Sequence, residues 1–425
     1  MSSEAMLLQH LFNLDHKSTY LSIALVLTII SGLLLSWRMK FKPLEKLKVE
    51  ALYIYPVKGL RGCSLPKATV GQYGFEGDRT FCLQKVEHDY TGTGSDSKSP
   101  KYETMYIGYH LRLALFSTCL EIEGDERRAS NILVTWTGSG DGTGSDSGNF
   151  SGPDSDNQTQ NQTRFPVKPD LTALKTIEVS LHGSPTLAYD MGDEQASFFS
   201  RHLGFDVRLT YIGPNSRAVL GSIAPHSKDA IPESSWPWRF IRARLPSFIN
   251  ARILPAERLV FNDIAHYLVV TKESNDQVSS RFANGQVMDV TKFRPNIVVS
   301  GSSGPFAEDY WAELTFTVSD NTRVKMPLTA NCYRCQSITV DYATGKPCEG
   351  DQGQVWKKLN KDRRVDKGAK YSPVFGRYGF CSTPTDLGKA IHVGAEAFVT
   401  KCNAEHTVFD WPNLTSFGTS QQKVV

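Results

Sequence analysis

The sequence lacks several signatures, and each absence narrows what the chain can be. One C-x-x-C stands at Cys332 and Cys335, but no second pair and no H-x-x-x-H accompany it. A structural zinc site needs four ligands, usually in two spaced pairs. No G-x-G-x-x-G follows a strand-like run, so the phosphate loop of an NAD(P)H or flavin site is missing. The C-x4-C-x2-C spacing of a plant-type ferredoxin is absent too. No internal repeat of roughly 20–50 residues is visible. Charge of one sign is scarce: a net +3 over 425 residues gives no reason to expect nucleic acid as a partner. The eight cysteines (63, 82, 119, 332, 335, 348, 381 and 402) are too dispersed for a disulfide framework, which fits a reducing compartment.

Long hydrophobic runs are also few, and one stands out. Tyr20 to Trp37, YLSIALVLTIISGLLLSW, carries no charge over eighteen residues. As a helix it would span roughly 27 Å, enough for a bilayer core. Tyr20 and Trp37 mark its ends, as interfacial aromatics do. No small-residue cleavage motif follows it. Arg38, Lys40, Lys42, Lys46 and Lys48 do, whereas Lys17 is the only Lys or Arg before it. The positive-inside rule then gives a single-pass anchor with a cytosol-facing body. Sequons at Asn149, Asn157, Asn161 and Asn413 argue for the opposite side, but the first three fall in a Ser/Thr/Asn-rich tract where such triplets arise by chance.

Beyond the anchor, the sequence reads as short strands and polar turns. VEALYIYPVKGL from Val49, RTFCLQKV at 79–86, HLRLALFSTCLEIEGDE, ASNILVTW and KTIEVSLHGSPTLAYD all fit strands, with 91–100 a polar hairpin tip. Residues 137–163 hold almost nothing apolar and read as a disordered insertion. One helix is expected at Asp193–Leu203, with Ala196, Phe199 and Leu203 on its buried stripe and Gly204 as its stop. A proline-bearing connection from Arg217 to Glu257 divides the chain into halves, and short strands resume beyond it, with a turn at 319–321. This predicts β-barrel or sandwich architecture. The expected organisation is a segment 1–19, an anchor 20–37, a basic tether 38–48, a first domain 49–215, a second domain 230–400 and a tail 401–425.

The stretch NCYRCQSITVDYATGKP carries the chemistry. Its two cysteines can be half a zinc site, a redox dithiol, two inert thiols, or one working thiolate with an idle neighbour. A redox dithiol normally begins a helix, whereas QSITVD reads as a strand. Arg334 beside a thiolate would help keep it deprotonated, and thiolate suits a soft metal. Local chemistry leaves all four readings open.

YPVKGL (55–60), GDRTFCL (77–83), KFRPNIVVSG (292–301) and NCYRCQSITVDYATG (331–345), with FAEDYWAEL (306–314) and YSPVFGRYG (371–379), occur in that order. Together they resemble the MOSC family, and within it the mitochondrial amidoxime-reducing component and its bacterial relatives. The resemblance runs from about residue 49 to 400, apart from the insertion. It implies a mainly β fold with a few helices: a β-rich MOSC N-terminal domain, then a β-barrel-type MOSC domain. It also implies a molybdenum cofactor (Mo-molybdopterin) whose metal is bound by Cys335, with Cys332 structural. Lys58, Arg79 and Arg294 match the basic positions that would hold the cofactor's phosphate, and Asn296 could face the pterin. Gly59, Asp263, Tyr333, Arg334 and Tyr378 are further cofactor positions by motif. Tyr55 and Phe293 read as core, and His182 and His266 as structural or surface histidines.

Gly59 stands where a small hydroxyl residue often follows the lysine, Ile264 and Ala265 replace hydroxyl residues, and Tyr333 replaces a small one. These departures bear on substrate preference. The implied reaction is reduction of N-hydroxylated compounds, taking oxygen onto reduced molybdenum, with electrons from cytochrome b5 and NADH-cytochrome b5 reductase on the mitochondrial outer membrane, or alternatively the endoplasmic reticulum. The rival expectation is a non-catalytic carrier of the cofactor; MOSC domains also end cofactor sulfurases, but the chain leaves no room for their pyridoxal-phosphate domain. No general acid is identifiable from spacing.

Overall fold

The strand Glu45–Ile54 changes phase midway, and that change organises the body. Leu47 and Val49 point inward, then Leu52 and Ile54 do, because a bulge between Val49 and Ala51 shifts the alternation by one. Its first half pairs with Glu396–Cys402 and its second half with Ile297–Ser300. It therefore closes a sheet that runs through Tyr267–Thr271, Val374–Gly379, Thr322–Tyr333 and Trp311–Ser319 into a barrel. The computed structural model describes residues 44–87, 100–121, 130–138, 161–225, 257–319, 322–380 and 384–415.

The barrel interior is filled by alternate residues of every strand, among them Val49, Val269, Val299, Trp311, Phe316 and Met326. Beside it, a five-stranded sheet orders Thr176–Leu181, Ser184–Asp190, Val207–Tyr211, Phe81–Glu87 and Lys101–Thr104. A three-stranded sheet, Phe116–Glu121, Asn131–Trp136 and Gln162–Pro166, lies with it. The helix Asp193–Leu203 ends at Gly204 in the left-handed conformation, as its sequence predicts. Its buried Phe198, Phe199 and Leu203 pack with Phe116 and Trp136 in a second core. The fold is mainly β with few helices.

Several boundaries differ from the sequence reading. The tether 38–48 is strand from Glu45 onward, because Leu47 belongs to the barrel core. That strand, assigned to the first domain, lies in the barrel of the second, so the two halves are interwoven. Gln162 and Thr163, placed in the insertion, belong to a strand whose partner, Asn131–Trp136, supplies the hydrogen bonds that outweigh their polar composition. LRLAL at 111–115 is a one-turn helix with Leu113 and Leu115 buried. Gln336–Thr339 is likewise a helical turn. Thr271 caps a helix at Lys272–Ser279, accepting from the Ser274 amide. The tail is packed: Lys401 and Cys402 finish a strand, and Phe409 and Trp411 are fully buried. The expected anchor 20–37, most of the insertion (139–160), and the 91–99 and 320–321 turns lie outside the described residues. Among the described residues no helix is long and apolar enough to cross a membrane.

One core group makes folding pH-dependent. Glu308 is fully buried, accepts from Thr271 and Ser274 hydroxyls, and leaves Oε1 without a partner. Burial, with the Asp309 charge adding, raises its carboxyl to about 7. The folded state thus holds this proton more tightly than the unfolded chain, whose Glu titrates near ~4.3. Its stability is complete below that value and is lost as pH rises through about 7. Glu308→Gln should remove this loss, gaining on the order of 3 kcal/mol over wild type at pH 8 and little at pH 4. Urea unfolding at the two pH values measures it.

Candidate functional site

The pairings of the barrel bring four distant sequence segments to one rim. Leu52 lies opposite Ile297, and Ile297 opposite Val269, while Tyr378 faces both Leu268 and Ala330. The chain leaving the first strand (55–60), those entering Ile297–Ser300 and Tyr267–Thr271 (292–296 and 263–266), and the end of Thr322–Tyr333 therefore converge. They line a cavity of about 710 Å³ with residues 106–109, His182, Asn413 and Leu414. All ten positions picked from sequence are on its wall: Lys58, Gly59, Arg79, Asp263, Arg294, Asn296, Tyr333, Arg334, Cys335 and Tyr378.

The two cysteines sit in different environments. Cys332 is buried among apolar side chains, where burial pushes its thiol up, and Arg334 Nη1 donates to its sulfur at 2.8 Å. Cys335 is exposed to the cavity, with Sγ 2.9 Å from Ser337 Oγ. Arg334 thus serves Cys332 rather than Cys335, because residues two apart on extended backbone share a side. Both thiols are free. The backbone crosses above Cys335 at Gly108, where even a methyl group would touch the sulfur at 3.7 Å.

Arg79 and Arg294 both adopt left-handed backbone, at φ 52° and 57°, which non-glycine residues seldom do. Their guanidinium groups lie 4.8 and 4.4 Å from the centroid of the buried Tyr55 ring. Arg79 is fixed by Asp78 and by Asn296 Oδ1. Asn296 also donates to Tyr53 O and Asp78 Oδ2 and accepts from the Leu268 amide. Its amide is saturated within the protein, so it holds Arg79 in place and has no free edge for a pterin. Arg294 donates to Leu60 O at 2.7 Å and has no ion pair with a carboxylate among the described residues. Burial, with Arg79 nearby, holds its guanidinium below the usual value.

Among the described residues Asp263 is the one carboxylate on the wall. Its Oδ1 accepts from Lys58 Nζ and from His182 Nε2, the latter at 3.2 Å. Burial alone would raise this carboxyl; the two partners overcome it and hold it well below the usual range. His182, read from sequence as structural or surface, is a cavity residue. It heads a turn at φ 50°, its carbonyl accepts from Trp411 Nε1, and its ring lies 5.1 Å from Tyr106. A lone His-Gly turn carries no sequence signal for this, since its place depends on the packed C-terminal segment. Tyr106, Tyr109 and Phe293 also join the wall. Gly59 has φ 88°, and a Cβ there would meet Leu113 at 3.0 Å, so the turn itself disfavours the hydroxyl residue expected at this position. Ile264 is core, beside Trp411.

Four cations, Lys58, Arg79, Arg294 and Arg334, therefore face one carboxylate across the cavity. Among the described residues no cluster of His, Cys, Asp and Glu can hold a bare metal ion. The wall suits an anionic group.

Residues 256–397 match the MOSC domain and residues 46–99 the MOSC N-terminal beta barrel domain. The chain therefore carries a MOSC N-terminal beta barrel domain followed by a MOSC domain. It is 30% identical to mitochondrial amidoxime-reducing component 1 of Homo sapiens over 157 residues, 35% of this chain and 44% of that protein. The Mus musculus counterpart is 27% identical over 224 residues, covering 52% and 55%. A molybdenum cofactor sulfurase of Emericella nidulans is 24% identical over 352 residues, 77% of this chain but 38% of that protein. The chain thus spans about half the length of these relatives, or less. Of these relatives, the sulfurase is named for the molybdenum cofactor.

The charge imbalance is testable without any cofactor. Inorganic phosphate should raise the melting temperature of the wild type. In Arg294→Met that rise should vanish, while stability without phosphate stays within about 1 kcal/mol of wild type, because a buried unpaired cation contributes little to folding.

Proposed function

We propose that this MOSC protein is a reductase of N-hydroxylated compounds, amidoximes and hydroxylamines, holding a molybdenum cofactor in the cavity. The observation that carries this reading is one exposed thiol, Cys335, at the edge of a buried wall of cations with a single carboxylate. When bound, the cofactor would supply the two-electron chemistry.

The residues divide the remaining work. Cys335 Sγ is the metal ligand. Arg79 and Arg294, pinned around Tyr55, bind the phosphate with a fixed fork geometry, and Lys58 adds a point charge. Arg334, Tyr378 and Tyr333 support the cavity at Cys332 and Phe409 rather than reaching for a ligand. Reducing an N–O bond to an amine and water consumes two protons. His182 holds one at Nε2 against ionised Asp263, which can only accept, and is the proton donor of this reading. Tyr106 and Tyr109, the latter 84% exposed, offer flat apolar surface to the substrate.

Electrons come from a separate protein in this proposal, cytochrome b5 with its NADH-dependent reductase, at the mitochondrial outer membrane. A shared membrane would raise their effective concentration. A non-catalytic carrier of the cofactor is the second reading, favoured by the likeness to the sulfurase over most of this chain.

Anaerobic benzamidoxime reduction by the full chain, made in a host that synthesises the cofactor and supplied with cytochrome b5, its reductase and NADH, separates the two. A reductase forms benzamidine, and Cys335→Ala loses at least a hundredfold of that rate. Bound pterin without turnover in the wild type would establish the carrier instead. His182→Gln, which keeps a donor to Asp263 but cannot relay a proton, should lower kcat by about 100-fold with KM and pterin content little changed.

A further inference from the structure

Outside the cavity wall, one buried cation faces a thiol instead of a carboxylate. Lys292 is 6% exposed, in the helical turn Val290–Phe293 just ahead of Arg294. Its Nζ donates to Cys348 Sγ at 3.2 Å and to Gln352 Oε1 at 3.3 Å, and it has no ion pair among the described residues. A buried amine usually finds a carboxylate, and here its place is taken by a sulfur within bonding reach of the nitrogen.

The pair is held from both sides. The Cys348 amide donates to Thr339 O at 2.7 Å, just after Val340 and Pro347 form an isolated bridge. Gly353 packs onto the Cys348 backbone so closely that a Cβ there would lie 2.0 Å from its carbonyl oxygen. Cys348 is free and half-buried, so small oxidants reach it, and the group nearest its sulfur is the amine.

We propose that Cys348 and Lys292 form an oxidation-driven cross-link, a modification site separate from the cofactor cavity. Hydrogen peroxide oxidises the Cys348 thiolate by two electrons to the sulfenic acid, releasing hydroxide. That hydroxide takes a proton from the Lys292 ammonium and becomes water. The freed amine attacks sulfur; an S–N bond forms, the S–O bond breaks, and a second water leaves. One peroxide becomes two waters, and the protein gives up two hydrogens in all: the three on the Lys292 ammonium become the single hydrogen of the S–N link, one leaving in each water. The link staples the turn that carries Arg294 to the loop that follows the helical turn after Cys335.

The test is peptide mapping by mass spectrometry of the full-length protein after dilute hydrogen peroxide, with and without dithiothreitol. The expected product joins the Lys292 and Cys348 peptides with a mass two hydrogens below their neutral sum, and dithiothreitol reverses it. Cys348→Ser should abolish it. Lys292→Arg keeps the cation but cannot close the same link, so a sulfenic acid should persist at Cys348 and label with dimedone at least tenfold more than in wild type. Lys292→Gln, compared by circular dichroism, guards against a misfolded arginine variant and should also give no link. Sulfenic or sulfinic acid at Cys348 of the wild type with Lys292 unmodified would overturn the proposal, as would a thiol that peroxide leaves intact.

Discussion

The antiparallel pairing of Leu52 with Ile297 is the contact on which the rest depends. It closes the barrel, and in doing so it puts the residues after one strand beside those before another. Tyr55 to Lys58 and Phe293 to Asn296 meet because their strands are in register. The backbone then ties the two together: Tyr53 N donates to Asn296 O, Tyr55 Oη to Pro295 O, and Arg294 to Leu60 O. A slip of one residue would turn Leu52 and Ile54 outward and separate the arginines from Tyr55. The bulge at Val49–Ala51 fixes that register by letting one strand serve two partners.

Charge is the second constraint. Water-filled clefts tolerate unpaired cations easily, whereas buried ones shift or pair. Here the pairing is incomplete by design of the wall. Asp78 answers Arg79 and Asp263 answers Lys58, but among the described residues Arg294 has only backbone oxygen and an aromatic face. The wall thus carries an excess of positive charge among the described residues. Its two left-handed arginines store backbone strain at the same place, where the surrounding packing is strong enough to hold it.

Much of this was legible in the sequence, for uneven reasons. Every residue chosen by motif faces the cavity, because the motifs are the loops at one barrel rim and a rim is where strand ends must gather. The helix Asp193–Leu203 was readable from its stripe and its glycine stop. What escaped was set by tertiary context. His182 is placed by Trp411, over two hundred residues away in the chain. The apparent tether and tail looked polar or irregular, yet Leu47, Phe409 and Trp411 each supply apolar area that the cores need, on the order of 2 kcal/mol apiece. Asn296 looked available because sequence shows an amide's capacity and never how much of it is already used.

The C-x-x-C obeys a small geometric rule. On an extended strand positions 332 and 334 share a side, and the strand ends at Tyr333. Arg334 must then fall beside Cys332, while Cys335, at the start of the next helical turn, is carried round into the cavity. The arginine neutralises a buried sulfur and donates its other amine to Phe293 O, so it braces the turn that carries Arg294. Among the described residues Cys335 has no hydrogen bond from a cation, and it takes its environment from the cavity. A thiol so placed is best suited to a ligand that arrives with charge to share, and the wall of cations opposite is what would hold such a ligand there.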